Sequence, residues 1–275
     1  MNFIKIFSQD IKRAIYQQRY RYIIALIMIT LLILIPTNIA DSINKKIPEA
    51  GNMNFLDNVF YMLSGCEHVI PEKIKDIKIP FSWMSIQFLC GLVTLDYIQY
   101  DQNGIGKAII LRTKSKLVWW LSKCLSMICL VIGVYILLFI VSAAVALINY
   151  RLSGELHMDL LSMVLELNNT YIFEDGMIIY IFTVPILVSI GITLFQAAIS
   201  QYLSPVIGLA VVLSIDVMSV FSNSVLLWGN WSMILRSSLC LQDGLDVWKS
   251  IAAGIVTGIT GVVSGGIRFC KKDIL

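Results

Sequence analysis

Six stretches of nearly unbroken apolar character alternate with polar intervals, at about residues 22–40, 81–100, 121–148, 177–200, 203–222 and 247–267. Each is near the roughly 20 residues an α-helix needs to cross a hydrocarbon core. Helical spacing also marks the flanks. Phe3, Ile4, Phe7, Ile11, Ala14 and Ile15 fall on one stripe with Lys5, Lys12, Arg13 and Arg19 off it, which predicts an interfacial amphipathic helix over 1–20 lying on an anionic leaflet. Phe55, Leu56, Val59, Phe60 and Leu63 predict a short amphipathic helix in one polar interval, and Leu156, Leu160, Met163, Val164 and Leu167 another. Pro185 is expected to kink the fourth span, and the turn from Gln201 to Pro205 leads straight into the fifth. Val225 to Leu235 is apolar but too short to cross, so it is expected to form a re-entrant hairpin before the last span.

Composition fixes the class. Of 275 residues, 57% are hydrophobic and 14% charged, with a mean hydropathy of +0.79; soluble domains run at about 45–50% and about 25%. Charge then orients the spans, because short loops rich in Lys and Arg stay cytoplasmic. Five basic residues precede the first span (Lys5, Lys12, Arg13, Arg19, Arg21) and three close the last (Arg268, Lys271, Lys272). Five more lie around the second connection: Lys107, Arg112, Lys114, Lys116 and Lys123, the last expected to snorkel from the third span to the cytosol. Residues 41–80 balance five lysines with six acids, and 149–176 hold five acids and one arginine, so both are placed outside. The expected fold is an all-α, multi-pass integral membrane protein: one permease-like domain over 1–275, an interfacial helix, six transmembrane helices and both termini cytoplasmic. The basic region at 1–21 is too long for a typical cleaved leader.

The chemistry is sparse. Gly104-x-Gly106-Lys107 lacks the distal glycine and the following Ser or Thr of a phosphate-binding loop, since Asp101 and Ala108 stand there. Ser264-Gly265-Gly266 echoes an ATP-binding-cassette signature but falls inside a span. There is no G-x-S-x-G motif, and the two histidines, His68 and His157, support no zinc-protease motif. Cys66-Glu67-His68 could supply metal ligands, but no second cluster accompanies it and an ordinary loop is the plainer reading; the six cysteines have no C-x-x-C spacing. No catalytic residue, cofactor, metal or nucleic-acid partner is expected. Gly254, Gly258, Gly261 and Gly265 share one face of the last span, suited to close helix packing, within the subunit or against another. The intramembrane polar candidates are Asp96, Asp216 and Arg236. For Asp216 three roles are open: an ion pair with Arg236, a site for a cationic substrate group, or an acid bonded to Ser214 and Ser219.

The order of parts resembles the membrane subunit of bacterial ATP-binding-cassette exporters, the ABC-2-type permease family. The run Gly104, Arg112, Ser115, Trp119 and Lys123 is similar to its small permeases, although the prolines often found in that loop are missing. The resemblance implies that the loop over 101–120 holds a coupling helix, with Gly104, Gly106, Lys107, Arg112, Lys114, Ser115, Lys116, Trp119 and Lys123 as ATPase-coupling residues. It further implies two copies of a separate ATPase carrying ATP and magnesium, a second permease copy or related permease chain, a lipid environment in the bacterial plasma membrane, and export of a peptide, drug or other amphiphile. An ion-coupled secondary transporter and a non-transporting immunity or sensor protein are the alternatives.

Overall fold

The computed structural model describes residues 3–47, 51–69, 78–103, 115–149, 152–167, 171, 176–241 and 243–271. Among them the regular structure is helical: α1 (Phe3–Lys46), α2 (Phe55–Leu63), α3 (Phe81–Thr94), α4 (Tyr97–Asn103), α5 (Lys116–Ile148), α6 (Met158–Leu165), α7 (Met177–Tyr202), α8 (Pro205–Phe221) and α9 (Val247–Lys271). Short 3-10 turns at Trp228–Ser232 and Ile234–Arg236 lie between α8 and α9. Five segments are long and apolar enough to cross a bilayer: Phe3–Lys46, Phe81–Gln102, Lys116–Ile148, Met177–Tyr202 and Val247–Lys271. This is the make-up of a multi-pass membrane protein. Helix α8 is apolar but has only 17 residues, about 26 Å at 1.5 Å per residue against a core of about 30 Å.

Helix α1 differs from its sequence reading. It runs unbroken for 44 residues through the expected boundary at Tyr22. Its inner face is Ile6, Asp10, Ala14 and Gln18, each four apart and buried, whereas Phe3, Ile4 and Ile15 of the expected apolar stripe are exposed. In a membrane helix the most apolar stripe is the one that meets lipid, and small or paired polar residues turn inward. Farther along, α1 lies parallel to α5: the Tyr22 hydroxyl donates to the Leu130 carbonyl at 2.7 Å, and Gly133 makes room for its ring.

The glycine row of α9 faces α7, running parallel to it. A Cβ at Gly254 would meet the Val188 backbone at 3.2 Å, one at Gly261 would lie 2.6 Å from Leu194 and Phe195 backbone atoms, and one at Gly265 would strike the Trp120 ring and Ala198. From the other side, a Cβ on Gly191 would sit 2.4 Å from the Gly254 carbonyl oxygen. The helix axes approach closely because Gly191 of α7 meets the Gly254 and Gly258 backbone of α9 with no side chain between them.

Local chemistry starts and stops the elements. Ser204 caps α8 by accepting from the Ile207 amide, with Pro205 in the first turn. Asn54 and Asp57 form a reciprocal capping box on α2. Asp57 also accepts from the His157 backbone amide and pairs with His157 Nδ1 at 2.9 Å, joining α2 to the stretch before α6. Helix α6 ends at Glu166 in the left-handed region, φ 50°. The Lys78 ammonium bonds that carboxylate and holds it below the usual glutamate range.

Helix α3 stops at Thr94, and a two-residue turn separates it from α4. Asp96 lies in that turn, half exposed and paired with Arg21 at 2.6 Å, so it is a rim residue rather than a buried intramembrane acid. Lys116 donates to the Cys270 carbonyl at 3.2 Å and Tyr202 to the Ser264 carbonyl at 3.2 Å. The start of α1 and α5 and the ends of α4, α7 and α9 therefore share one end of the bundle, the basic end.

Candidate functional site

Gly104, Gly106, Lys107, Arg112 and Lys114 lie outside the described residues. The two shores of their loop are described, and both are built into the protein. Ser115 is the N-cap of α5, its hydroxyl accepting from the Val118 amide at 3.4 Å. Trp119 is fully buried and stacks on Phe269 of α9 with ring centroids 4.8 Å apart. Its neighbour Trp120 is buried too and donates from Nε1 to the Val262 carbonyl at 2.9 Å. Ser115 and Trp119 thus start and anchor a helix, and the buried Trp119 ring has no face left for a partner.

Lys123 departs furthest from expectation. It was expected at the cytoplasmic end of the third span with its head in water; instead its side chain is 0% exposed. Its ammonium lies 2.8 Å from Asp10 Oδ1 of α1 and 2.8 Å from Asp101 Oδ2 of α4. It also donates to the Tyr97 hydroxyl at 3.3 Å, whereas the Asp101 contact is an ion pair alone, Asp101 Oδ2 accepting no hydrogen bond from any described residue. The Ser122 hydroxyl donates to Asp10 Oδ2 at 2.6 Å, and Tyr97 donates to the Asp10 backbone carbonyl at 3.3 Å. The Tyr97 and Trp119 rings flank the ammonium at 4.9 and 5.2 Å.

Charges taken this far from water are tolerated only when paired and hydrogen-bonded on every side. The result is a three-helix clamp. Asp101 sits just before the basic loop, Lys123 just after it, and Asp10 ties both shores to α1. Sequence reasoning missed Asp10 and Tyr97 as partners. No apolar period pointed to Asp10, because the row Ile6, Asp10, Ala14 and Gln18 is half polar and only the fold buries it.

A second polar construction holds the segment between α8 and α9. Asn230, Ser232, Met233, Ile234, Leu235 and Arg236 are all buried in protein although their backbone forms only short 3-10 turns and no α-helix. Backbone without regular partners can lie deep in a bundle only where other groups satisfy it. Arg236 does much of this. Its Nη1 donates to the carbonyls of Ser219 at 2.6 Å and Ser222 at 3.1 Å and to Asn230 Oδ1. Its Nη2 reaches Cys66 Sγ at 3.0 Å, Val220 O at 3.1 Å and Glu67 O at 3.2 Å. The cation is balanced by the carbonyl end of α8, where a helix dipole is negative. The expected Arg236–Asp216 pair is therefore not formed. The bonds to Ser214 and Ser219 are absent as well, since those hydroxyls donate to the carbonyls of Ala210 and Ile215.

Ser232 seats the tip. Its hydroxyl accepts from Trp83 Nε1 at 3.1 Å and Gln87 Nε2 at 3.5 Å, and Gln87 Oε1 accepts from Ser189, itself 2.8 Å from the Tyr135 hydroxyl. Arg236→Lys retains the charge but loses the planar fork. It is expected to lower stability by about 2–3 kcal/mol through unsatisfied carbonyls, measured as thermal melting in detergent.

Cys66, Glu67 and His68 do not converge as metal ligands. Cys66 faces Arg236, and Glu67 accepts from the Tyr171 hydroxyl at 3.0 Å. Among the described residues no group of three potential ligands comes together. Burial pushes the Cys66 thiol up, with the guanidinium pulling the other way. Nearby, a cavity of about 480 Å³ opens between Leu32 and Ile35 of α1, Phe81, Leu167 and Leu235, at the end opposite the clamp. Comparison with protein-family models, curated proteins and solved structures returns no match for this chain.

Proposed function

We propose that this chain is the membrane subunit of an ATP-driven exporter, moving a peptide, drug or other amphiphile across the bacterial plasma membrane with ATP hydrolysed by a separate protein. In this reading α8 is a sixth, short span, both termini face the cytosol, and the segment from Val225 to Leu235 is a re-entrant hairpin. The observation that carries it is the clamp. A basic loop with fixed shores is a lever, because displacement of residues 104–114 must be borne by α4, α5 and α1 together through Asp101, Lys123 and Asp10. An ATPase dimer closing under the loop would move those helices as one body, with α9 coupled to α5 through Trp119 and Trp120. The cavity at the opposite end is then on the substrate's way out.

The test is co-purification. The tagged chain, extracted from its native membrane in mild detergent, is expected to bring down an ATP-hydrolysing protein. Replacing Arg112, Lys114 and Lys116 together by Glu is expected to release that protein or uncouple its turnover while membrane insertion stays normal. Unchanged hydrolysis and transport in the triple variant would remove the coupling role.

A further inference from the structure

Among the described residues, Asp216 is an acid without a hydrogen-bond partner. It is 1% exposed on an otherwise uncharged helix. It lies five residues before the end of α8, about 7.5 Å along the axis. Neither carboxyl oxygen receives a hydrogen bond from any described residue. The groups around it account for this. On α3, which packs against α8, the titratable neighbour is the buried Cys90, which offers no positive charge. On α7, Gln196 and Ser200 meet α8 at Gly208, about two turns from Asp216, and both are uncharged. On the hairpin, Arg236 spends its donors on Cys66, Glu67, Asn230 and the end of α8. Gly229 closes over the carboxyl: a Cβ there would lie 3.2 Å from Asp216 Oδ1 and 2.5 Å from Ser219 Oγ. A larger cation has no space beside it in this arrangement.

A bare carboxylate sealed from water with no donor is a costly state inside a membrane helix. A neutral carboxylic acid at the same place is not. We propose that Asp216 is a proton-binding site, filled in this closed arrangement and emptied when the hairpin leaves its seat and water reaches the carboxyl. On opening, the O–H bond breaks heterolytically, the proton passes to water, and the carboxylate is left hydrated. The hairpin then cannot reseat until a proton returns, so closure of this end is linked to proton uptake. The site depends on burial and missing donors alone and stands whether or not the chain works with an ATPase.

The experiment is infrared spectroscopy of the purified chain in lipid nanodiscs at neutral pH. The wild type is expected to show the carbonyl stretch of a protonated carboxylic acid, shifted in heavy water after slow exchange. Asp216→Asn is expected to remove the band, and Asp216→Glu to move it, which keeps the test decisive if the Asn variant does not fold. A wild-type spectrum without a protonated carboxyl, or a band unchanged in the variants that fold, would overturn the proposal.

Discussion

Lys123→Met is expected to be the most damaging single change in the chain. It leaves Asp10 and Asp101 facing each other with no counter-charge, at positions 0% and 4% exposed. Removing one partner of a buried ion pair costs about 3–5 kcal/mol, most of it from the charge left behind. The companion result distinguishes a clamp from mere crowding. Adding Asp10→Asn and Asp101→Asn to Lys123→Met removes the stranded charges, and most of the lost stability is expected to return. Fluorescence-detected size exclusion after a heat series reads both. Equal loss in the single and triple variants would mean that packing, not charge, holds α1, α4 and α5 together.

The glycine row supplies the second large effect, and it is position-specific. Gly261→Ala places a methyl 2.6 Å from Leu194 and Phe195 backbone atoms, which have no rotamer to escape into. Helices α7 and α9 must then part along their whole contact, and overpacking of this kind costs about 1–3 kcal/mol. At Gly258 the nearest atom to the new methyl is 3.5 Å away, an ordinary contact. Gly258→Ala is therefore expected to be neutral, or slightly favourable because Ala is the better helix former by about 0.8–1.0 kcal/mol. Thermal melts of the two variants side by side test the difference, and equal sensitivity would contradict the parallel packing.

What was legible in the sequence is what periodicity encodes. The apolar runs, the two short amphipathic helices α2 and α6, the Ser204–Pro205 restart and the shared face of the α9 glycines all follow from spacing within one segment. The orientation of α1 did not follow, because its most apolar stripe points outward and the residues that matter inward are an acid, a glutamine and an alanine. The clamp did not follow either: Asp10 and Lys123 are 113 positions apart, and nothing local says which acid a buried lysine will meet. Arg236 misled for a related reason. Its counter-charge is the carbonyl end of α8 rather than a side chain, and backbone dipoles carry no letter in the sequence.

In the proposed exporter the basic end faces the cytosol, where an ATPase would reach residues 104–114. Single cysteines at Ser115 and Lys271, in a background without the native cysteines, address that end; cysteines at Asn44, Ser153 and Asp243 address the other. Labelling of intact cells with an impermeant maleimide is expected to modify positions 44, 153 and 243, and positions 115 and 271 only after permeabilisation. Modification of Ser115→Cys in intact cells would contradict the orientation and, with it, the coupling to a cytosolic ATPase.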